Sequence, residues 1–318
     1  MRAGRAAISA VLALCTVIWA SAAQAEIKWA KVPAKDITVF YPATFTWERL
    51  FTPGQHSGQR GYAEGKTCFS CHGNIDEGPM GMHLTQIKGY IEPRPIANKP
   101  PFIKVAVKTA YDAENIYVQL TYTPGTQPNS MMDKDFETKV AMMFDDGSIR
   151  ESARAGCWIT CHSNLSSMNG VTQEMTKYIP ETRVPTTAPG RPSDLLIAAP
   201  DIAQMRTGGK GMEYWQARLK PGAPVQVVDG TVLEKRIENA KPAVTATVTT
   251  DAKGLTTVTF ARKLSAGPGY KDFKPGKTYT VGFSIHAGYT SQRFHYVSFE
   301  RTLVLDAGKA DFVVLAQK

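Results

Sequence analysis

Cys68-Phe69-Ser70-Cys71-His72 is a short pattern whose spacing dictates a chemistry. Thiols so spaced meet the two vinyl groups of one porphyrin while the adjacent imidazole reaches its iron, so the pattern marks covalent attachment of a c-type haem. A second pattern, Cys157-Trp158-Ile159-Thr160-Cys161-His162, holds one more residue between the thiols. A bulged loop absorbs it and leaves Cys161 and His162 adjacent. Two oxidised cysteine pairs, or a zinc site of four thiolates, would use the same cysteines, but neither explains a histidine directly after each pair. The expectation is two haem c groups, bound as thioethers through Cys68, Cys71, Cys157 and Cys161, with His72 and His162 as the proximal iron ligands.

The sixth ligand then decides whether each iron is closed or open to a substrate, and it sets much of the potential. The remaining histidines are His56, His83, His286 and His295. Met80, Met82 and His83 follow the first motif closely enough to fold back over its iron, and His56 precedes it; for each, a packing or surface role competes. In Arg293 to Leu305, strand alternation places His295 on one face with Val297, Phe299, Leu303 and Leu305, and Phe294, Tyr296 and Ser298 on the other. His295 is therefore expected to point inward as the distal ligand of the haem at His162. His286 falls opposite the apolar row Tyr279, Val281, Phe283 and Ile285, where it serves the first haem or is a solvent-facing or supporting residue.

The elements that must position these groups change character along the chain. Met1-Arg2-Ala3-Gly4-Arg5, an apolar stretch from Ala6 to Ala20, and Ala23-Gln24-Ala25 before Glu26 have the order of a secretory signal. The stretch is shorter than the ~20 residues of a spanning helix. Residues 1–25 are thus expected to be a cleaved signal, which removes Cys15 and delivers the mature chain to the periplasm with no spanning segment. Residues 26–101 are rich in Gly, Pro and charge and read as a small loop-rich c-type haem module, closed by the proline-rich stretch from Glu92 to Pro101. Residues 102–318 read as a mainly β domain into which the second motif is inserted. Its strand-like runs are Ile103 to Ala110, Asn115 to Tyr122 and Glu137 to Phe144, followed by a hairpin from Val244 to Leu264 that turns at Asp251-Ala252-Lys253-Gly254. Between the second motif and Tyr214 the chain reads as irregular, with a short helix possible from Ser193 to Met205.

The net charge of +9 favours an acidic-surfaced partner by long-range steering. Export and scattered lysines argue against nucleic acid. The partners expected are redox proteins: acidic-surfaced or membrane quinol-oxidising cytochromes, or a periplasmic reductase or dehydrogenase.

Three segments resemble a known family: Thr109-Ala110-Tyr111-Asp112 with Asn115-Ile116-Tyr117; Cys157 to His162 with Met168; and Ile285-His286 through Arg293-Phe294-His295-Tyr296-Val297-Ser298-Phe299. Together they resemble, over roughly Pro101 to Lys318, the haem-binding domain of the gamma subunit of ethylbenzene dehydrogenase and related type II DMSO-reductase-family enzymes. The resemblance implies a β-sandwich. In the gamma subunits it holds a non-covalent b haem between a methionine and a lysine and takes electrons from a molybdenum subunit. His295 stands at the lysine position here, and the methionine position falls near Cys157 to His162. The chain is thus similar to a c-type branch with a covalent haem and bis-histidine ligation, a departure that puts the molybdoenzyme partner in doubt. The family offers no counterpart for Glu26 to Pro100.

The function expected is that of a dihaem electron carrier with two six-coordinate irons and no catalytic group. The alternatives are a dihaem peroxidase or small-oxyanion reductase with one open iron, and an electron-transfer subunit of a larger oxidoreductase complex. The motifs lie 89 residues apart in a strand-rich chain, whereas dihaem peroxidases are mostly helical.

Overall fold

A computed structural model describes residues 27–41, 54, 56–73, 95–156, 162–163, 176–185 and 195–317. Met80, Met82, His83, Cys157, Cys161, Met168 and the expected signal lie outside the described residues. The regular structure is mainly β. Strands β1 (Lys35–Phe40), β2 (Phe102–Tyr111), β3 (Asn115–Tyr122) and β4 (Thr138–Asp145) come first, followed by the short pair β5 (His162–Ser163) and β6 (Thr176–Lys177). Then come β7 (Met212–Leu219), β8 (Gln226–Val232), β9 (Arg236–Glu238), β10 (Thr245–Thr250) and β11 (Thr256–Lys263). The last are β12 (Thr278–Ala287), β13 (Tyr296–Val297), β14 (Arg301–Leu305) and β15 (Phe312–Ala316). Four short helices, α1 (Gln59–Ala63), α2 (Cys68–His72), α3 (Ser152–Ala155) and α4 (Ala199–Thr207), occupy the connections. None is long and apolar enough to cross a membrane.

The strands form where β-branched and aromatic residues alternate with polar ones. Hydrogen bonding runs continuously from β10 through β11, β3, β2, β1, β13, β12, β4, β7 and β8 to β9, and β14 and β15 tie β12 back to β2. The sheet thereby doubles over on itself as a sandwich. One apolar core fills it, with Val105, Leu120 and Phe260 from one half and Phe144, Trp215 and Phe283 from the other. Asp112 fixes the β2–β3 turn by accepting hydrogen bonds from the Glu114 and Asn115 N–H groups and from the Tyr117 hydroxyl. The runs read from sequence at β2, β3, β4 and the β10–β11 hairpin are all present. β1, which precedes Pro101, pairs residue for residue with β2 from Lys35 against Val107 to Phe40 against Phe102. The segment 26–101 thus contributes an inner strand to the sheet of the 102–318 domain.

The expected single strand from Arg293 to Leu305 is interrupted. Ile285 pairs with Tyr296 and Val281 with Arg301, so a span of four residues on β12 faces a span of five. Ser298 makes the last regular pair, its N–H donating to the Phe283 carbonyl at 2.9 Å while its hydroxyl oxygen accepts from the Phe283 N–H at 3.0 Å. Phe299 and Glu300 then both stand opposite Gly282, which is a β-bulge. A one-residue slip exchanges the faces. Tyr296, expected to point away, is therefore fully buried in the core with Leu303 and Leu305, and His295 lies on the outer face.

Candidate functional site

The first motif is a single helical turn, α2, started by a capping box in which Thr67 and Ser70 exchange side chain to backbone hydrogen bonds of 3.0 Å. The bulge holds this turn in place. The Phe69 N–H donates to the Glu300 carboxylate at 2.8 Å, and the Arg301 guanidinium lies 3.7 Å from the Phe69 ring centroid. Cys68 is buried and Cys71 exposed, both as free thiols. Burial, then the neighbouring Glu300 and Cys71, pushes the Cys68 thiol well above its ordinary value. The His72 ring stacks on Phe299 with centroids 5.6 Å apart and planes at 27°. The His56 ring is 6.4 Å from that of His72, at 33°. Burial and then His56 hold the His72 imidazole below its usual value, so it is neutral, the form that ligates metals.

The second site is a cavity of about 520 Å³ on the outer face of the sheet, within the ~300–1,000 Å³ usual for cofactor sites. Its floor is built from Ala141 and Met143 of β4, Gln216 of β7, and Gly282 and Ser284 of β12. These alternate with the core residues Met142, Phe144, Trp215, Ala217, Phe283 and Ile285. Small side chains at 141, 282 and 284 open the floor. Tyr178 and Tyr214 stand at its sides, and the cationic residues Lys139, Arg218, Arg236 and Arg293 also line it. Lys139 is paired with Asp133. The backbone of His162 lies in β5 and pairs with Lys177, the residue immediately before Tyr178.

His286 and His295 line this same cavity. The β12–β13 register, extended by one residue, sets them opposite each other, and their rings stack at 4.7 Å and 11°. His286 Nε2 is 3.0 Å from the Gln292 carbonyl oxygen. Burial lowers both imidazoles, His295 to about 4 against an opposing bond with the Arg293 backbone, and His286 well below its ordinary value with His295 beside it. Two neutral imidazoles thus face one space floored largely by small side chains.

The residues at both places fit a haem. The Nδ1 atoms of His72, His286 and His295 are buried without a hydrogen-bond partner, a costly arrangement in a finished core but a natural one beside a group that completes the pocket. At the first site the free thiols of Cys68 and Cys71 flank that histidine on one helical turn. The structure brings together Cys68, Cys71 and His72, and separately His286 and His295; of the second motif it describes only His162, in β5. It sets His286 against His295 in the second cavity. His295 lines its cavity from the outer face of the sheet, because the bulge at Phe299 and Glu300 reverses the expected alternation. Sequence reasoning missed Phe299 and Glu300 as supports of α2; their signal was the charged Glu300-Arg301 pair interrupting an apolar strand.

The family model for ethylbenzene dehydrogenase matches residues 17–256. A cytochrome c-552 of Stutzerimonas stutzeri is 32% identical over 308 residues, covering 95% of this chain and 94% of that protein. A cytochrome c-551 of Rhodocyclus tenuis is 26% identical over 274 residues, covering 85% and 91%.

Proposed function

The chain belongs to the ethylbenzene dehydrogenase family as a c-type cytochrome electron carrier, and from that premise we propose that it carries two covalent haems, held as neighbours, and relays single electrons between them and an external redox partner in the periplasm. A bound haem supplies a one-electron iron couple whose potential follows from axial ligand, burial and hydrogen bonding. The protein's part is to seat, orient and screen it.

One observation carries the proposal: the first motif and the residue immediately before the second both meet Glu300. Phe69 of the first motif donates its N–H to the Glu300 side chain. Gly156, immediately before Cys157, packs so tightly on Glu300 that a Cβ there would lie 2.9 Å from its N and Cα. A chain that enters the second motif from Glu300, which also holds the first motif, supports a short separation between the haems, which is what a relay needs. His72 and His162 are proposed as proximal ligands and Cys68, Cys71, Cys157 and Cys161 as thioether donors. His295 is proposed as the distal ligand of the second haem. Its stacked neighbour His286 is too near and too parallel to take the opposite face of the same iron, and it serves to orient His295. With an imidazole already available at that iron, the arrangement favours carriage over catalysis. The basic surface favours an acidic-surfaced partner.

The mature protein, made in a host that matures c-type cytochromes, tests this. Haem quantified as the pyridine complex should give two per chain, with both irons low spin and indifferent to carbon monoxide. One haem per chain refutes the dihaem reading. A stoichiometric carbon monoxide complex refutes the closed carrier in favour of an enzyme.

A further inference from the structure

We infer that His56 is the axial ligand opposite His72, so that the first haem iron is held between two imidazoles. The inference rests on the reading of Cys68 to His72 as a haem attachment site.

Two imidazoles on opposite sides of one metal ion, with metal–nitrogen bonds of ~2 Å and ring centroids ~1.1 Å behind each nitrogen, have centroids ~6.3 Å apart. His56 and His72 are 6.4 Å apart. The other histidine pair makes the contrast: at 4.7 Å and 11°, His286 and His295 are in direct stacking contact, with no room for an ion between them. A chance neighbour of His72 would as readily sit at that stacking distance. The 33° between the His56 and His72 planes is no obstacle, since each ring rotates about its own metal bond.

The chain also builds a seat for the His56 ring. A Cβ on Gly58 would come within 2.8 Å of His56 Cε1 and 3.3 Å of Nδ1, so glycine at 58 is what lets the ring lie where it does. The His56–Gly58 turn is locked into α1, with the Gln59 N–H donating to the His56 carbonyl at 3.0 Å and the Tyr62 N–H to the Gly58 carbonyl at 2.9 Å. Helix α1 is in turn clamped to α3: Tyr62 is buried, and Arg154 both donates to its carbonyl at 3.0 Å and covers its ring at 5.2 Å. Phe299 backs His72 from the protein side. Each ring is thus supported independently of the other, as two ligands approaching one iron from opposite sides must be.

The test uses the mature holoprotein, with haem counting beside electron paramagnetic resonance and near-infrared magnetic circular dichroism of the ferric form, which distinguish bis-histidine from histidine–methionine ligation. Wild type should show no histidine–methionine signature. His56→Ala should keep the wild-type haem count, convert one of the two irons from low to high spin and let it bind carbon monoxide. His56→Met should return that iron to low spin with a histidine–methionine signature. Gly58→Ala, which leaves the ligand in place but crowds its ring, should produce a partial high-spin fraction and covers the case in which His56→Ala yields no protein. A histidine–methionine signature in wild type would overturn the inference in favour of Met80 or Met82. An unchanged spectrum in His56→Ala, or conversion by His83→Ala instead, would also overturn it. Failure of the underlying reading looks different: Cys68→Ala with Cys71→Ala would then leave the haem count unchanged.

Discussion

Replacing Glu300 by glutamine isolates the electrostatic character of the bulge that supports the first motif. The Glu300 side chain is 6% exposed. Burial raises its pKa to about 7, against the lowering effect of the Thr67 and Phe69 hydrogen bonds and of Arg301. A carboxyl whose folded value is raised holds its proton more tightly in the native state, so its contribution is fully present below about 4.5 and is lost as pH climbs to 7. The rise from 4.5 to about 7, at ~1.4 kcal/mol per unit, amounts to about 3 kcal/mol of stability lost by pH 8. Glutamine keeps an oxygen to accept the Phe69 N–H but cannot ionise. Glu300→Gln should therefore match wild type within about 1 kcal/mol at pH 5 and exceed it by about 2–3 kcal/mol at pH 8. Guanidinium unfolding of the holoprotein at both values, followed by circular dichroism, measures this. An equal loss of stability at pH 5 and pH 8 would show that the carboxylate is charged and satisfied by Arg301, and would refute the desolvation reasoning.

Gly156→Ala forces a side chain onto a residue with φ of 58° and ψ of −150° against the Glu300 backbone; it should cost about 2–3 kcal/mol and lower the yield of the second thioether-bound haem, read by haem counting. Asp146 is held near 2 because hydrogen bonds from Lys271 and Lys277 overcome its burial. Asp146→Asn should cost about 1–2 kcal/mol at pH 7, after allowance for its partial exposure. That difference should shrink as pH falls from about 4 toward 2 in acid unfolding, because a carboxyl with a lowered value stabilises only while ionised. His295→Ala should leave two haems attached and convert one from low to high spin, while His286→Ala should keep both low spin and alter only the rhombicity of one paramagnetic resonance signal. If His286→Ala gives the high-spin species and His295→Ala does not, the two roles are exchanged.

What could be read from the chain alone divides along physical lines. The attachment motifs were legible because thiol spacing is a local covalent constraint. The strands at β2, β3, β4 and the β10–β11 hairpin were legible because alternation is local too. The neighbourhood of His295 was not. Its face depends on one inserted residue between Val297 and Arg301, and the run Tyr296-Val297-Ser298-Phe299 reads equally well in either register until β12 supplies the pairing. His56 was visible as a histidine near the motif, but its 6.4 Å approach to His72 is set by the clamp between α1 and α3, which no local pattern encodes. β7 was missed for a related reason. Both its faces are covered, one by the core around Trp215 and Ala217 and the other by the cavity, so Met212 to Leu219 shows no clean two-residue period.

Because the second cavity lies outside the doubled sheet, the sandwich encloses its own apolar interior from Val105 to Val314 without drawing on a prosthetic group. Scaffold and cargo are thus separable in the order of biogenesis. The sheet can close first, and the attachment machinery then meets a folded platform. The same separation makes exchange of a dissociable haem for a tethered one an edit of the cover, achieved by changes around Cys157 to His162, with the β framework beneath left as it was.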